Sequence, residues 1–170
     1  AATLGKSADA ARYQALAVEV RAAYNRKYWD AEAYRYVTRA VEGGPPPPFS
    51  QTQNILPLAF GIVPDGEQQN VADAVAADLE ANDYALTMGV YPMRYGLTLL
   101  TDYGHVDAVY RAVTRTSQPG WGFWLANDIN SMLEGWGLNS RSWNHHYFAL
   151  VSDWFYKGLA GIRPGSPGYA

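Results

Sequence analysis

Helical periodicity constrains this chain more than any other feature. Over residues 8–28, Tyr13, Leu16, Ala17, Val20, Ala23, Tyr24 and Tyr28 recur at i, i+3, i+4 and i+7 spacing, an apolar stripe along one helix face. Arg12, Glu19, Arg21 and Arg26 fall mostly off that stripe, and Ser7 stands where an N-cap belongs. The period returns downstream. Ser50 precedes a helix over 51–60 that Gly61 ends and Pro57 bends or shortens. Asp65 precedes another at about 67–81, with Val71, Ala74, Val75 and Leu79 inward. Pro92 suits the first position of a segment carrying Tyr95, Leu97, Leu99 and Leu100, ended by Gly104. Helices at 105–115 (Val106, Val109, Tyr110, Val113 inward) and about 142–160 (Phe148, Val151, Phe155, Leu159) complete the series. Six helices with short links and almost no strand predict an all-α fold of helical hairpins.

The connections between them differ in kind. Residues 29–32 read as a turn, 34–38 as a short extended segment, and Gly43 to Pro48 as a polyproline-like spacer. From Thr116 to Arg141 no period is evident, yet this stretch holds Trp121, Trp124, Trp136 and four glycines. A connection that long inside a compact domain is functional or disordered. Three tryptophans argue for order, with an aromatic-walled loop against a cleft. Residues 1–170 thus read as one domain with a Trp/Gly-rich functional loop at 116–141.

Composition removes several function classes. A hydrophobic fraction of 48% against 17% charged residues excludes disorder. The absence of cysteine excludes a disulfide scaffold, a thiol nucleophile and a cysteine-ligated metal. A net charge of −3 argues against a nucleic-acid partner, whose phosphates call for a basic face. No apolar run approaches the ~18 residues of a membrane span. The start, Ala1-Ala2-Thr3-Leu4, lacks an initiator Met and a leader pattern, which predicts a processing step or a cut ahead of it and leaves the compartment open. Residues 40–93 contain no Lys or Arg, and their acids read as a solvated face rather than a cation site. Six Trp and thirteen Tyr stand against five Phe. Such side chains join an apolar face to a polar tip, which suits a core or a half-wet cleft equally.

The ionisable groups of the 116–141 loop are Asp128, Glu134 and Arg141. Glu134 lies in Met132-Leu133-Glu134-Gly135-Trp136. Apolar surroundings disfavour the charged form of a carboxyl and can poise it for proton transfer. Trp121, Trp124 and Trp136 could stack on the C–H faces of a sugar, a combination typical of glycoside-processing sites. The competing reading is a buried Glu bonded to backbone N–H groups. His145 and His146 follow in Ser142-Trp143-Asn144-His145-His146-Tyr147. In a helix they point about 100° apart, which argues against a metal pair and leaves one imidazole to face the cleft. No nucleophile elbow, phosphate loop, dinucleotide fingerprint or HExxH is present.

Several ordered motifs carry a resemblance. Ser50-Gln51-Thr52-Gln53-Asn54 with Leu58-Ala59-Phe60-Gly61-Ile62-Val63-Pro64, Pro119-Gly120-Trp121-Gly122-Phe123, Ser142-x-Asn144-His145 and Trp154-Phe155-Tyr156-Lys157-Gly158-Leu159-Ala160-Gly161-Ile162 occur at characteristic spacing. With the helix that begins Ala8-Asp9-Ala10-Ala11-Arg12-Tyr13, they resemble the C-terminal half of the (α/α)6-barrel catalytic domain of bacterial α-L-rhamnosidases, inverting enzymes of glycoside hydrolase family 78. The resemblance implies about half of a six-hairpin toroid, six of twelve helices. It places the general base on Glu134, sugar contacts on His145 and Trp121, and Trp136 at the conserved aromatic after the base. Asn144 and Asp128 complete the implied substrate-binding set. No metal or organic cofactor is implied, and the expected partner is a carbohydrate, a rhamnoside or related deoxysugar glycoside.

Departures accompany the match. Asn130-Ser131 replaces Thr-Thr, Leu133 replaces Trp, and Gly135 follows the Glu, which leaves another deoxysugar or a uronide open. The family's general-acid motif, D-x-x-x-R-x-E, does not occur here. The acid is then expected from another segment, another chain, or Asp128. The alternative is a catalytically incomplete half-barrel that binds sugar or depends on a partner, with uncovered apolar faces that predict self-association or a complementary half-barrel. A purely structural helical domain would leave the Trp-rich loop without a purpose.

Overall fold

The computed structural model describes residues 1–38, 44–45 and 47–165. Among them the chain order is α1 (Ser7–Tyr28), β1 (Trp29–Asp30), β2 (Arg35–Tyr36), α2 (Gln51–Ala59), α3 (Gln68–Ala81), α4 (Val90–Asp102), α5 (Val106–Thr114), α6 (Trp121–Ala126) and α7 (Val151–Trp154). This is the all-α arrangement of hairpins that the periodicity predicts. The Gly43 to Pro48 spacer falls partly on positions 43 and 46, outside the described residues. No helix among the described residues is long and apolar enough to cross a membrane.

Short links reverse the chain between successive helices, so α2 packs on both α3 and α4, and α4 on α5. A 3-10 turn, His146–Leu150, packs on α4 and leads into α7. Because each link reverses direction, α2, α4 and the 146–159 stretch begin at one common rim. There the β1–β2 hairpin bonds to α2 through Tyr36 and Asn54, the 82–89 link bonds to α2 through Gln51, and Arg115 at the start of the 115–145 connection bonds to the Asp83 carbonyl of that link. The core behind the rim is built from Ile55, Val71, Val75, Leu79, Leu86, Leu100 and Val109, each with no exposed surface. Burying each such side chain is worth about 1.5–3 kcal/mol.

Polar side chains lock this core together. Gln51 is buried, and its amide nitrogen donates to Asp78 Oδ2 and to the Ala85 carbonyl, both at 2.9 Å. Its amide oxygen accepts the Thr87 N–H at 2.9 Å. Asn54, also buried, accepts the Tyr36 N–H at 2.8 Å and donates to the Ser50 carbonyl at 2.9 Å. Buried polar groups persist only when bonded, so the Ser50–Asn54 motif acts here as a clamp between α2, α3, the 82–89 link and the β-hairpin. Ser50 caps α2 as its sequence predicts, its hydroxyl accepting the Gln53 N–H at 3.3 Å. Pro57 lies inside α2, which ends at Ala59.

Several sequence expectations need correction. Ser7 is the first residue of α1 rather than its cap; Lys6 flanks the helix without a side-chain bond. The α1 stripe forms as a helix face but stays open, with Tyr13, Leu16 and Val20 each about half exposed or more and no residue of α1 fully buried. Only its last turns pack on the core, through Tyr24 and Tyr28, and polar bonds add to that hold. Arg21 donates to the Ile62 and Val63 carbonyls and pairs with Asp65 at 2.6 Å, and Asn25 donates to Ile62 at 2.8 Å. That pairing takes Asp65 away from the capping role expected of it, and Glu67 flanks α3 without a side-chain bond. Trp29 and Asp30 are not a turn but pair antiparallel with Tyr36 and Arg35. Tyr36 is buried and donates to Asn25 Oδ1 at 2.7 Å, and burial pushes its hydroxyl pKa up.

Helix faces shift in the same way. Ala72 and Ala76 rather than Ala74 are buried on α3. Pro92 is the third residue of α4, still within the first turn, where its missing N–H costs no helical bond. On α5, Ala108 and Ala112 fill the interior while Tyr110 is half exposed. The predicted 142–160 helix is the largest correction. Residues 142–145 are not helical, and the rest divides into the 3-10 turn, α7 and a π-turn over Phe155–Leu159. That rotation buries Trp154, which donates to Thr101 Oγ1 at 2.8 Å, and turns Phe155 and Leu159 outward. Gly158 lies directly against the Trp154 indole, so a side chain there would displace it.

Candidate active site

The 116–141 connection is ordered, and it contains α6, a helix the periodicity does not show. Its tryptophans are placed differently from the expectation of sugar-stacking walls. Trp121 and Trp124 are buried, and their indole N–H groups donate to the Phe148 and Trp136 carbonyls, each at 3.1 Å. Trp136 is half-buried and sits edge-on to Trp121 (4.9 Å, 89°), tilted on Trp124 (5.1 Å) and against Phe148 (4.3 Å). The four rings form one aromatic block. Trp121 and Trp124 thus pack against Trp136, and both also line an open apolar groove. Gly122 lets the backbone pass close to Arg115, where an added Cβ would come within 2.7 Å of the Arg115 carbonyl oxygen.

Glu134 is half-buried on the segment that follows. Its N–H donates to the Ser142 carbonyl at 3.0 Å, and the Met132 carbonyl accepts the His145 N–H at 2.8 Å. These two bonds run residues 132–134 alongside 142–145. Gly135 N–H adds a bond to Ser140 Oγ at 3.0 Å. Glu134 and His145 thus sit on adjacent, paired stretches of backbone.

His145 is extended (φ −120°, ψ 111°), so the argument that a helix turns His145 and His146 about 100° apart does not apply. Their rings stack instead, 5.8 Å between centres and 9° between planes. His145 is half-buried with its Nδ1 buried and unbonded, while His146 is exposed. Among the described residues no group of three His, Asp or Glu side chains converges as a metal site. Asn144 is exposed, its N–H donating to Ser142 Oγ at 3.4 Å. Asp128 lies on the exposed turn that ends α6, in the left-handed region (φ 57°). Backbone bonds thus place the segments that carry Glu134, Asn144 and His145 side by side, Trp136 packs on Trp121, and Asp128 lies on the turn that ends α6.

Trp121, Trp124 and Met132 also face an open groove. This groove of about 800 Å³ is lined by Val113, Leu125, Ile129, Met132, Val151 and Phe155 among others, and no titratable side chain lines it. Leu125 beside it is 73% exposed. The groove is an uncovered apolar face, not a place for acid–base chemistry.

The fold is shared with known proteins. Residues 1–159 match the family model of the bacterial α-L-rhamnosidase six-hairpin glycosidase domain. The chain belongs to that family. An α-L-rhamnosidase of Streptomyces avermitilis is 32% identical over 99% of this chain, which spans 16% of that relative's length. A solved α-L-rhamnosidase structure from Dictyoglumus thermophilum superposes with a TM-score of 0.83 at 33% identity, covering 99% of this chain and 18% of that one. The Streptomyces avermitilis enzyme solved with L-rhamnose superposes with a TM-score of 0.82 at 31% identity, covering 99% and 16%. This member of the six-hairpin family therefore spans about a sixth of its relatives' length.

Two residues of the rim escape the sequence argument. Tyr91 opens α4 and is 69% exposed, and Tyr147 follows the histidines with its ring 5.8 Å from that of Tyr91. The tyrosine-rich composition was the only available signal, since neither position belongs to an apolar stripe.

Proposed function

We propose that the chain carries the general-base side of an α-L-rhamnosidase-type inverting glycoside hydrolase site, acting on terminal α-L-rhamnosyl or related deoxysugar linkages. The observation that carries this reading is the placement of Glu134, half-buried and braced by backbone bonds beside His145 at the shared rim. In an inverting reaction the Glu134 carboxylate takes a proton from water as the water oxygen bonds to the anomeric carbon. A second carboxyl, roughly 6.5–9.5 Å away, protonates the departing oxygen on the opposite face. The family's acid motif does not occur in this chain, so the acid is expected from another segment, another chain or Asp128. His145 and Asn144 bind sugar hydroxyls, Trp136 supplies the apolar wall, and Trp121 holds Trp136 in place. Asp128, exposed on the turn that ends α6, is the remaining polar candidate for a substrate contact.

The test is release of aryl alcohol from an aryl α-L-rhamnoside by the purified chain beside its Glu134→Gln variant. Removing a positioned base lowers the rate by about 10²–10⁴-fold. Equal rates for the two proteins would sink the assignment. No turnover by either, with L-rhamnose still bound, would favour a partner-dependent half-barrel. The exposed apolar faces at Leu16 and Val20 on α1, and at Leu125 and Phe155 around the groove, support that second reading.

A further inference from the structure

The rim carries an aromatic surface that the proposed chemistry does not use. Tyr91 projects from the first turn of α4 with 69% of its surface exposed. Its ring is 5.8 Å from Tyr147, tilted by 48°. Tyr147 in turn lies nearly parallel to His146 (4.5 Å, 29°) and 4.9 Å from His145. A large aromatic at a helix start gains nothing for the core when it is this exposed, and helix propensity does not favour tyrosine there. Tyr147 stands two residues beyond His145, whose backbone is bonded to the strand that carries Glu134. The ring surface is therefore continuous with the candidate sugar site and lies on its outer edge.

We propose that Tyr91, backed by Tyr147, is the platform on which the leaving group stacks, and that it selects glycosides with a flat aromatic aglycone. This rests on the glycosidase reading above. Inversion puts the glycosidic oxygen of a sugar held at Glu134 and His145 on the face opposite the attacking water. An aromatic ring leaving from there meets the exposed face of Tyr91, where offset or edge-on ring contact is favourable. An alkyl leaving group finds no such contact, so Tyr91 contributes selectivity and no proton transfer.

Binding of two non-hydrolysed analogues, 4-nitrophenyl and methyl 1-thio-α-L-rhamnoside, tests this by calorimetry on the full chain. Tyr91→Ala is expected to weaken the aryl ligand roughly three- to tenfold and to change the methyl ligand by less than about twofold. Tyr91→Phe, which keeps the ring, retains the aryl preference. An equal loss for both ligands, no loss for either, or no aryl preference in the unaltered chain would overturn the proposal. The two readings fail separately. If Glu134→Gln leaves hydrolysis unchanged while the Tyr91-dependent aryl preference persists, the base assignment falls and the platform stands. If hydrolysis depends on Glu134 but aryl binding ignores Tyr91, only the platform falls.

Discussion

The α2–α5 block and the 115–145 connection bury their apolar side chains by different means. In the block, Val71, Val75 and Leu79 of α3 meet Ile55 of α2 and Leu97 and Leu100 of α4 because 3.6-residue spacing lines them up. In the connection, Trp121 and Trp124 share one face of the short α6, and Leu133 is buried on a segment with no helical period at all. Their order comes from indole N–H bonds to the Phe148 and Trp136 carbonyls and from the paired backbone of 132–134 and 142–145. The block is a scaffold that local repetition specifies. The connection is a structure that long-range bonds specify, and the candidate chemistry sits on it.

Breaking one aromatic support should show how much the connection depends on such bonds. Trp124→Ala removes a buried indole and its bond to Trp136, and should cost about 3–5 kcal/mol by chemical denaturation. A loss below about 1 kcal/mol would mean that the connection is not packed as a core. The scaffold's polar clamp offers a smaller effect. Gln51→Leu leaves the Thr87 N–H and the Ala85 carbonyl without partners and should cost about 1–3 kcal/mol, read as a lower denaturation midpoint at unchanged m-value. A neutral result would show that apolar packing alone holds α2 to the 82–89 link. Smallest is Trp136→Phe. The Trp136 Nε1 is buried and bonded to nothing in the protein, so its removal loses no internal hydrogen bond. Its stability cost should stay below about 1.5 kcal/mol, while binding of L-rhamnose should weaken if Trp136 walls the sugar. A large loss of stability with unchanged binding would return Trp136 to a purely structural role.

Much of the scaffold was legible because helical period and capping are local. Ser50 caps α2 as expected, and Val71, Val75, Leu79 and Val109 point inward as their spacing requires. The open stripe of α1 shows the limit of that logic. Period reveals which face of a helix is apolar, but not whether anything stands against it. The last helical stretch shows another limit. Its register shifts through a 3-10 turn and a π-turn so that Trp154 reaches Thr101, and no residue-level preference announces that bond.

At the site, Glu134 stood out because a lone carboxylate among apolar and aromatic residues is conspicuous in any sequence. The ordered motifs around it marked the six-hairpin glycosidase family, whose model matches residues 1–159. What Trp121 and Trp124 do was decided only in three dimensions. An indole facing a sugar and an indole buried under another indole have the same local sequence. So was the Tyr91–Tyr147 rim, which joins the start of α4 to a segment more than fifty residues later. Helix type and face are set by neighbours three and four residues apart. The positions of Glu134, His145 and Tyr91 relative to one another depend on hydrogen bonds and ring contacts between distant segments, and those exist only once the scaffold has packed.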